Sequence, residues 1–416
     1  MRNRLIPKIM YHLYDMLNGG RLSSYHQQVK RNNDLMLLHS REDIGDYLQR
    51  WGFDPVLEKN PVMNKEDVKK WLKKADLEKV KSWAYTGGSY GEPLRVPYSK
   101  RRSLIRTATF KFYNELAGYR LGDPYVLIRA KSKPEFTKML RNETIFIPKD
   151  LSESRIREFV SLLKNRKIKV LMGYPTVMYE LALFFEKYPN EKNGLFIESL
   201  ISVSEPLPDY LREVIYSQFN CRFVDRYSNE EVGLIAQQRE FRGEHFVNRF
   251  GVVVEVVDPE TLQPVDEGRQ GKVLVTDLNN DLIPVVRYDT GDLAVAHSYR
   301  DEQLVSITKI TGRVTEKIYS VAGSPVSPLI LGPYIYVPLS KQGPVYQYQF
   351  AQTGKQTYEL RIKAPENELP DEVLETMMEG LTSILGEASE VAFIFLDDIK
   401  PQPSGKRPIF KNEMTN

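Results

Sequence analysis

The sequence predicts an α/β fold: a large N-terminal domain of mixed sheets covered by helices, with a β-rich, barrel-like subdomain inside it, and a small α+β domain at the C-terminal end. Three observations carry this expectation. Between about residues 100 and 240, apolar runs of strand length alternate with helical patterns, as in a largely parallel sheet covered by helices. From about 245 to 310 the pattern changes to short strands separated by turns. The last hundred or so residues then supply a hairpin, an amphipathic helix and a strand of their own. The expected division is therefore 1–311 and 312–416, with residues 1–80 a helical lead-in.

Each element has a local reason. In the lead-in, Asn64 and Asp67 form an N-terminal capping pair ahead of Val68, Trp71 and Leu72 at helical spacing. The lysines around them (Lys65, Lys69, Lys70, Lys73, Lys74) are interleaved with acids and read as a solvated face. Asp150 and Glu153 cap a helix that runs to Arg166, and 168–172 is a buried strand. Residues 175–188 form a helix opened by proline at its first turn. Strand 200–203, helix 207–219 and strand 221–224 follow. The β-rich part is expected as strands 252–257, 272–276, 284–287 and 293–296, with a turn at Asp266-Glu267-Gly268. At the end, 346–353 and 358–363 alternate as a hairpin around Gly354, before a helix at 371–385 and a strand at 391–396.

Composition excludes several classes. The chain has 416 residues, of which 41% are hydrophobic, enough for a substantial core and more than one domain. Lys+Arg number 58 against 55 Asp+Glu, so a net charge of +3 offers nothing to recruit nucleic acid. Cys221 is the only cysteine and is expected in the core, which excludes an intrachain disulfide and a cysteine-rich zinc site. The basic, partly apolar segment 1–22 is interrupted by Lys8, His12 and Asp15 and lacks the apolar centre of a signal peptide. No integral membrane segment is expected. The expected location is the cytoplasm; a loose membrane association of the basic segment and a homodimeric assembly stay open.

Four polar clusters are candidates for chemistry. Arg287-Tyr288-Asp289-Thr290-Gly291-Asp292 lies between apolar runs and reads as strand, turn, strand. A carboxylate fixed at such a turn can accept two hydrogen bonds from a vicinal diol, while the same residues also suit an ordinary polar turn. Thr86-Gly87-Gly88-Ser89-Tyr90-Gly91-Glu92-Pro93 offers free backbone N–H groups to a phosphate, or forms a surface turn. Asp225 to Glu231 is expected at the carboxyl end of strand 221–224, where open α/β sheets bind ligands. There Glu231 can hold Mg2+ and Tyr227 can lie against a base; the alternative is a capped helix start. Gly312-Arg313 suits a hinge, and Ser404-Gly405-Lys406-Arg407 either a phosphate-reaching loop or a basic tail.

In this order the segments resemble the adenylate-forming superfamily, and within it the short phenylacetate–CoA ligase-like branch, some of whose members are associated with capsular polysaccharide biosynthesis. The resemblance runs from about residue 80 to 411. It implies that Thr86, Gly87, Gly88, Ser89 and Gly91 form the phosphate loop and that Ser204 and Glu205 precede the adenine site. It implies that Tyr227 and Ser228 bind nucleotide, with Glu231 at the Mg2+ position. Asp292 becomes the ribose ligand, Arg313 the hinge arginine, Lys406 the catalytic lysine, and Tyr174, Pro175 and Val203 the acyl pocket. The implied activity uses ATP and Mg2+ to convert a small carboxylic acid to an acyl-adenylate, with CoA as the first-choice acceptor and a mobile C-terminal lid. An amine, hydroxyl or carrier-protein acceptor, or a scaffold without turnover, are the alternatives. The chain departs from the pattern at Tyr90, Glu92, Ser228, Thr315 and Glu316, which bears on rate and on the hinge assignment.

Overall fold

Runs of β-branched residues separated by helices whose apolar faces turn inward give the chain one dominant sheet. The computed structural model describes residues 5–34, 39–85, 94–129, 132–148, 151–311, 318–326, 328–340, 342, 347–363, 369–400 and 408–414. The helices are α1 (Leu5–Leu17), α2 (Arg21–Asp34), α3 (Arg41–Arg50), α4 (Lys65–Leu72), α5 (Lys100–Leu116), α6 (Glu135–Arg141), α7 (Glu153–Asn165), α8 (Pro175–Lys187), α9 (Asp209–Phe219), α10 (Pro328–Ser340) and α11 (Asp371–Leu385). The first strands are β1 (Val80–Tyr85), β2 (Arg95–Ser99), β3 (Tyr125–Ile128), β4 (Glu143–Phe146), β5 (Val170–Gly173), β6 (Ser199–Val203), β7 (Arg222–Asn229), β8 (Gly233–Gln238) and β9 (His245–Val247). They are followed by β10 (Val252–Val257), β11 (Gln270–Asp277), β12 (Tyr288–Arg300), β13 (Gln303–Thr311), β14 (Ile318–Tyr319), β15 (Pro325–Val326), β16 (Tyr348–Gln352), β17 (Thr357–Ile362), β18 (Glu390–Phe395) and β19 (Phe410–Asn412).

Eleven strands form one sheet in the order β10-β11-β12-β13-β9-β8-β7-β6-β5-β3-β4. The β3–β7 part is parallel, as the strand–helix alternation requires, and β7 onward is antiparallel. The β-rich part is joined to the parallel part through the short strand β9, which pairs with both β8 and β13. The terminal residues carry a separate four-stranded sheet, β18-β17-β16-β19. Its hairpin β16–β17 turns around Gly354, and β18 and β19 add in parallel.

The capping expected at Asn64 is present in full: its side chain accepts from Glu66 and Asp67 N–H, and Asp67 accepts from the Asn64 N–H. Two local expectations are corrected. Residues 284–287 are not a strand; instead β12 starts at Tyr288 and runs unbroken through the polar cluster. Strand β7 does not stop at Val224 but continues to Asn229, because the polar residues 225–229 pair with β8. No helix follows it. The helix near 150 starts at Glu153, and Asp150 lies outside the described residues. Cys221 is half-buried at the edge of the core, where burial pushes its thiol up to about 12.

Two large apolar clusters hold these parts. One lies under β10–β13 and takes in Leu48 of α3, Met63, Val68 of α4 and Val96 of β2. The other surrounds α7, α8 and α9 and continues into Leu331 of α10, Phe350 of β16 and Leu381 of α11. Each such fully buried side chain contributes about 1.5–3 kcal/mol. Between β16 of the small sheet and helix α9, the Tyr348 hydroxyl donates to the Tyr210 hydroxyl at 2.6 Å.

Candidate functional site

Register aligns the carboxyl ends of three parallel strands. Gly173 of β5 stands opposite Ser202 of β6, and Ser202 opposite Asp225 of β7. The next residues on each strand are therefore neighbours at one sheet edge: Tyr174, then Val203 with Ser204 and Glu205, then Arg226 with Tyr227. The backbone bends sharply here. Gly173 has a φ of 150°, and a Cβ on it would come within 2.4 Å of the Ile128 Cβ, so no side chain fits. Ser204 adopts the left-handed region with a φ of 73°.

Tyr174 is buried and caps α8 at its N-terminus, with Pro175 at the first helical position. Glu205 turns its carboxylate onto that same helix end. Its Oε2 accepts from Thr176 Oγ1 at 2.7 Å and from the Thr176 N–H at 3.3 Å. An acid at a helix N-terminus is favoured by the dipole, so Glu205 orders the rim that Tyr174 and Ser204 form.

Beyond Tyr227 the strand turns back as a hairpin through Glu230, Glu231 and Val232. Asn229 Oδ1 accepts from the Val232 N–H at 2.9 Å, and Gly233 supplies a φ of 91°. Three groups outside the hairpin fix this turn. Tyr98 Oη donates to the Glu230 carbonyl at 3.2 Å, Arg102 Nη2 donates to the Glu231 carbonyl at 2.7 Å, and the Asp277 carboxylate holds Arg102 Nη2 at 2.6 Å. Tyr98 belongs to β2 and Arg102 to α5, so the turn is tied to the strand that follows residues 86–93.

The 287–292 cluster faces this hairpin. The Tyr288 hydroxyl donates to Glu231 Oε1 at 2.9 Å, and the Tyr227 hydroxyl donates to Asp292 Oδ2 at 2.6 Å. Between β7 and β12 the sheet order interposes β8, β9 and β13. Side chains meeting across that gap show that the antiparallel part curls back on itself. The cluster itself is a bulge, since the β11–β12 register shifts between Lys272 and Leu274. Gly291 lies there with a φ of 78°, its N–H donating to Asp289 Oδ1 at 2.8 Å, while the Asp292 N–H donates to Thr290 Oγ1 at 3.1 Å.

Arg287 and Asp289 are structural. Arg287 is buried with a φ of 43°; its Nε donates to Glu255 Oε1 at 3.1 Å and its Nη atoms to the carbonyls of Glu58, Asn60 and Leu262. Asp289 Oδ2 accepts from Lys272 Nζ at 2.9 Å. On the other side of Tyr227, Asp225 is partly buried, with the Nε2 of the buried His245 at 2.9 Å from its Oδ2. Against the pull of burial, His245 and Arg212 hold the Asp225 carboxyl below its ordinary value.

The structure thus brings Tyr174, Pro175, Val203, Ser204 and Glu205 to one sheet edge with Tyr227 and Ser228. It also joins that edge to Glu231 and Asp292. The residues Thr86, Gly87, Gly88, Ser89 and Gly91, with Arg313 and Lys406, lie outside the described residues. Their flanks are described: Tyr85 pairs with Arg95, so residues 86–93 connect two antiparallel strands. Sequence reasoning missed Arg102, Tyr98, Asp277 and the Asp225–His245 pair. Arg102 is one of three consecutive cations, Lys100 to Arg102, with nothing local to single it out; only the fold sets it against Asp277.

The donor set suits a nucleotide: an aromatic face, a carboxylate bonded beside it, and a second carboxylate on a fixed turn. Among the described residues no group of three or more His, Cys, Asp or Glu forms a metal cage. A single carboxylate matches Mg2+ carried in by a triphosphate, which takes only one or two protein ligands.

Comparisons with known proteins bear on the fold. No family model matches the chain. Phenylacetate-coenzyme A ligase of Pseudomonas putida is 26% identical over 166 residues, spanning 39% of this chain and 38% of the ligase, well under half of its length. Protein CapK of Staphylococcus aureus is 22% identical over 426 residues, spanning 92% of this chain and 91% of CapK. A crystal structure of 2-hydroxyisobutyryl-CoA ligase in the postadenylation state, with 2-HIB-AMP, superposes with a TM-score of 0.67. It is 16% identical, and the alignment covers 93% of this chain and 87% of that one. The chain thus shares the fold of adenylate-forming CoA ligases and is similar in sequence to phenylacetate-coenzyme A ligase over part of its length and to CapK over most of it.

Proposed function

We propose that the chain is an AMP-forming acid–thiol ligase that activates a small carboxylic acid with ATP and passes the acyl group to CoA. The observation that carries the reading is the 2.6 Å bond from Tyr227 Oη to Asp292 Oδ2. It sets an aromatic face and a diol-binding carboxylate side by side, as an adenosine requires. The names of the phenylacetate and 2-hydroxyisobutyryl ligases support CoA as acceptor.

In the first step a substrate carboxylate oxygen attacks the α-phosphorus of ATP. The bond to the bridging oxygen breaks and pyrophosphate leaves, giving an acyl-adenylate. Such transfers depend on positioning and charge neutralisation. In this reading Tyr227 lies against adenine, with Ser204, Glu205 and Ser228 at the rim. Asp292 accepts from the ribose hydroxyls. The backbone of Thr86 to Gly91 receives the phosphates, and Lys406 neutralises charge at the reacting carboxylate and α-phosphate. Mg2+, held by Glu231 together with the phosphates, would supply Lewis-acid neutralisation of the leaving pyrophosphate. Tyr174, Pro175 and Val203 line the acyl pocket. In the second step residues 312–416 rotate as a lid about Arg313, and a thiolate attacks the acyl carbon and releases AMP.

A second reading keeps the first step and changes the acceptor to an amino sugar, carrier protein or glycan in envelope polysaccharide assembly. The CapK alignment, over 92% of the chain, favours it. The test is carboxylate-dependent ATP–pyrophosphate exchange across a broad acid panel. Exchange with at least one acid is expected, and adding CoA or an amine then identifies the acceptor by its product. No exchange with any acid, in a protein that binds ATP, rejects both readings and leaves a nucleotide-binding scaffold.

A further inference from the structure

Helix α1 turns its apolar side away from the protein. At about 100° per residue, Leu5, Ile6, Ile9, Leu13, Met16 and Leu17 fall within an arc of about 120°. All six are exposed, Met16 at 67% and Leu17 at 78%. The side packed inward is the opposite one, formed by Pro7, Tyr11 and Asp15 at four-residue spacing. Pro7 and Asp15 are buried, the Tyr11 ring has Lys111 Nζ 5.5 Å from its centroid, and Asp15 Oδ1 accepts from the Ser23 N–H at 3.0 Å. Beside α1, helix α6 adds two more outward apolar residues at i, i+3: Phe136, exposed at 64%, and Met139.

A row of large exposed aliphatic side chains of this kind marks an interaction surface. Charge identifies its occupant. The first 34 residues carry six Lys/Arg against two Asp/Glu, while the rest of the chain has one more acid than base. The excess of positive charge thus lies in the same segment of the sequence as this exposed apolar face. Pairing with a second copy across a two-fold axis would oppose cation with cation. A surface of anionic headgroups over hydrocarbon matches both properties, with the aliphatic arc entering the acyl boundary and the cations meeting phosphates.

We propose that α1, with Phe136 and Met139 of α6, docks the protein on an anionic membrane surface without crossing it. No helix among the described residues is long and apolar enough to span a bilayer, so the expected binding is peripheral and reversible. This inference is independent of the adenylation reading.

The test is sedimentation of the full chain with phosphatidylcholine vesicles containing about a quarter phosphatidylglycerol, against pure phosphatidylcholine. Binding only to the anionic vesicles, released by high salt, is the expected result. Ile9→Gln with Leu13→Gln, both on exposed positions, should lower the bound fraction about tenfold with melting temperature unchanged. Lys8→Glu with Arg21→Glu should lower it by charge alone, which separates binding from any effect on folding. Absence of binding to the anionic vesicles overturns the proposal, as does equal binding to both kinds. A dimer in sedimentation velocity that Ile9→Gln with Leu13→Gln dissociates, without vesicle binding, assigns the face to a second copy instead.

Discussion

The Tyr227 hydroxyl donates to Asp292 Oδ2 at 2.6 Å across three intervening strands of the sheet. The bond fixes the orientation of the carboxylate and the plane of the ring together. Asp292→Ala is expected to weaken ATP binding by about 2–4 kcal/mol, since two charge-assisted hydrogen bonds to the ribose are lost. Tyr227→Phe keeps the ring and should weaken binding by only about 1 kcal/mol. Calorimetric titration with ATP measures both, and unchanged affinity in Asp292→Ala rejects the ribose assignment.

Glu231 presents the complementary case. Its Oε1 accepts from the buried Tyr288 hydroxyl at 2.9 Å. Glu231→Gln removes the negative charge and should reduce pyrophosphate exchange about 10²-fold or more. Tyr288→Phe leaves the charge but loosens its orientation, so exchange should recover at higher Mg2+. If Tyr288→Phe shows the same Mg2+ dependence as the parent protein, Tyr288 has no positioning role.

Lys406→Ala should abolish exchange while ATP affinity falls by less than about 1 kcal/mol, because a lysine acting at the reacting carboxylate works mainly in the transition state. A large loss of ATP affinity in this variant would place Lys406 in ground-state binding instead.

How much of this was legible beforehand follows from where each signal resides. The strand–helix alternation and the capping pair at Asn64 and Asp67 are local patterns, and both appear in the fold. The 287–292 cluster was found by its chemistry but misread in shape. Aspartate and glycine are the common residues of turns and of bulges alike, and only pairing with β11 decides between them. The end of β7 was misplaced for a similar reason: residues 225–229 look like a loop until β8 pairs with them. The inward-turned polar side of α1 could not be read from its amphipathic pattern, which by itself predicts the reverse.

Arg102 and Asp277 were not legible because their partnership spans 175 residues. Both are buried, and Arg102 also holds the Glu231 carbonyl at 2.7 Å. Removing one partner strands a charge, so Asp277→Ala should cost about 3–5 kcal/mol in urea denaturation. Arg102→Met combined with Asp277→Leu should cost much less than either single change. The double variant should nevertheless need more Mg2+ for exchange, because the Glu231 turn has lost its anchor. Additive single and double costs would show that the pair is not coupled.

His39 gives the chain a pH dependence with a definite sign. Burial first, and then the charge of Arg249, lowers its imidazole from 6.5 to about 4. Between these values the unfolded chain binds a proton that the folded chain excludes. The stabilising contribution is therefore complete above pH 6.5, declines as pH falls toward about 4, and is exhausted below it. Its full extent is about 3 kcal/mol at most. Urea denaturation from about pH 7 to about pH 5 should show a steeper loss of stability in the parent chain than in His39→Gln, whose side chain does not titrate. The carboxylates contribute to the slope in both proteins, so the difference between the two curves isolates His39. Parallel curves would mean that the imidazole titrates alike in the folded and unfolded states.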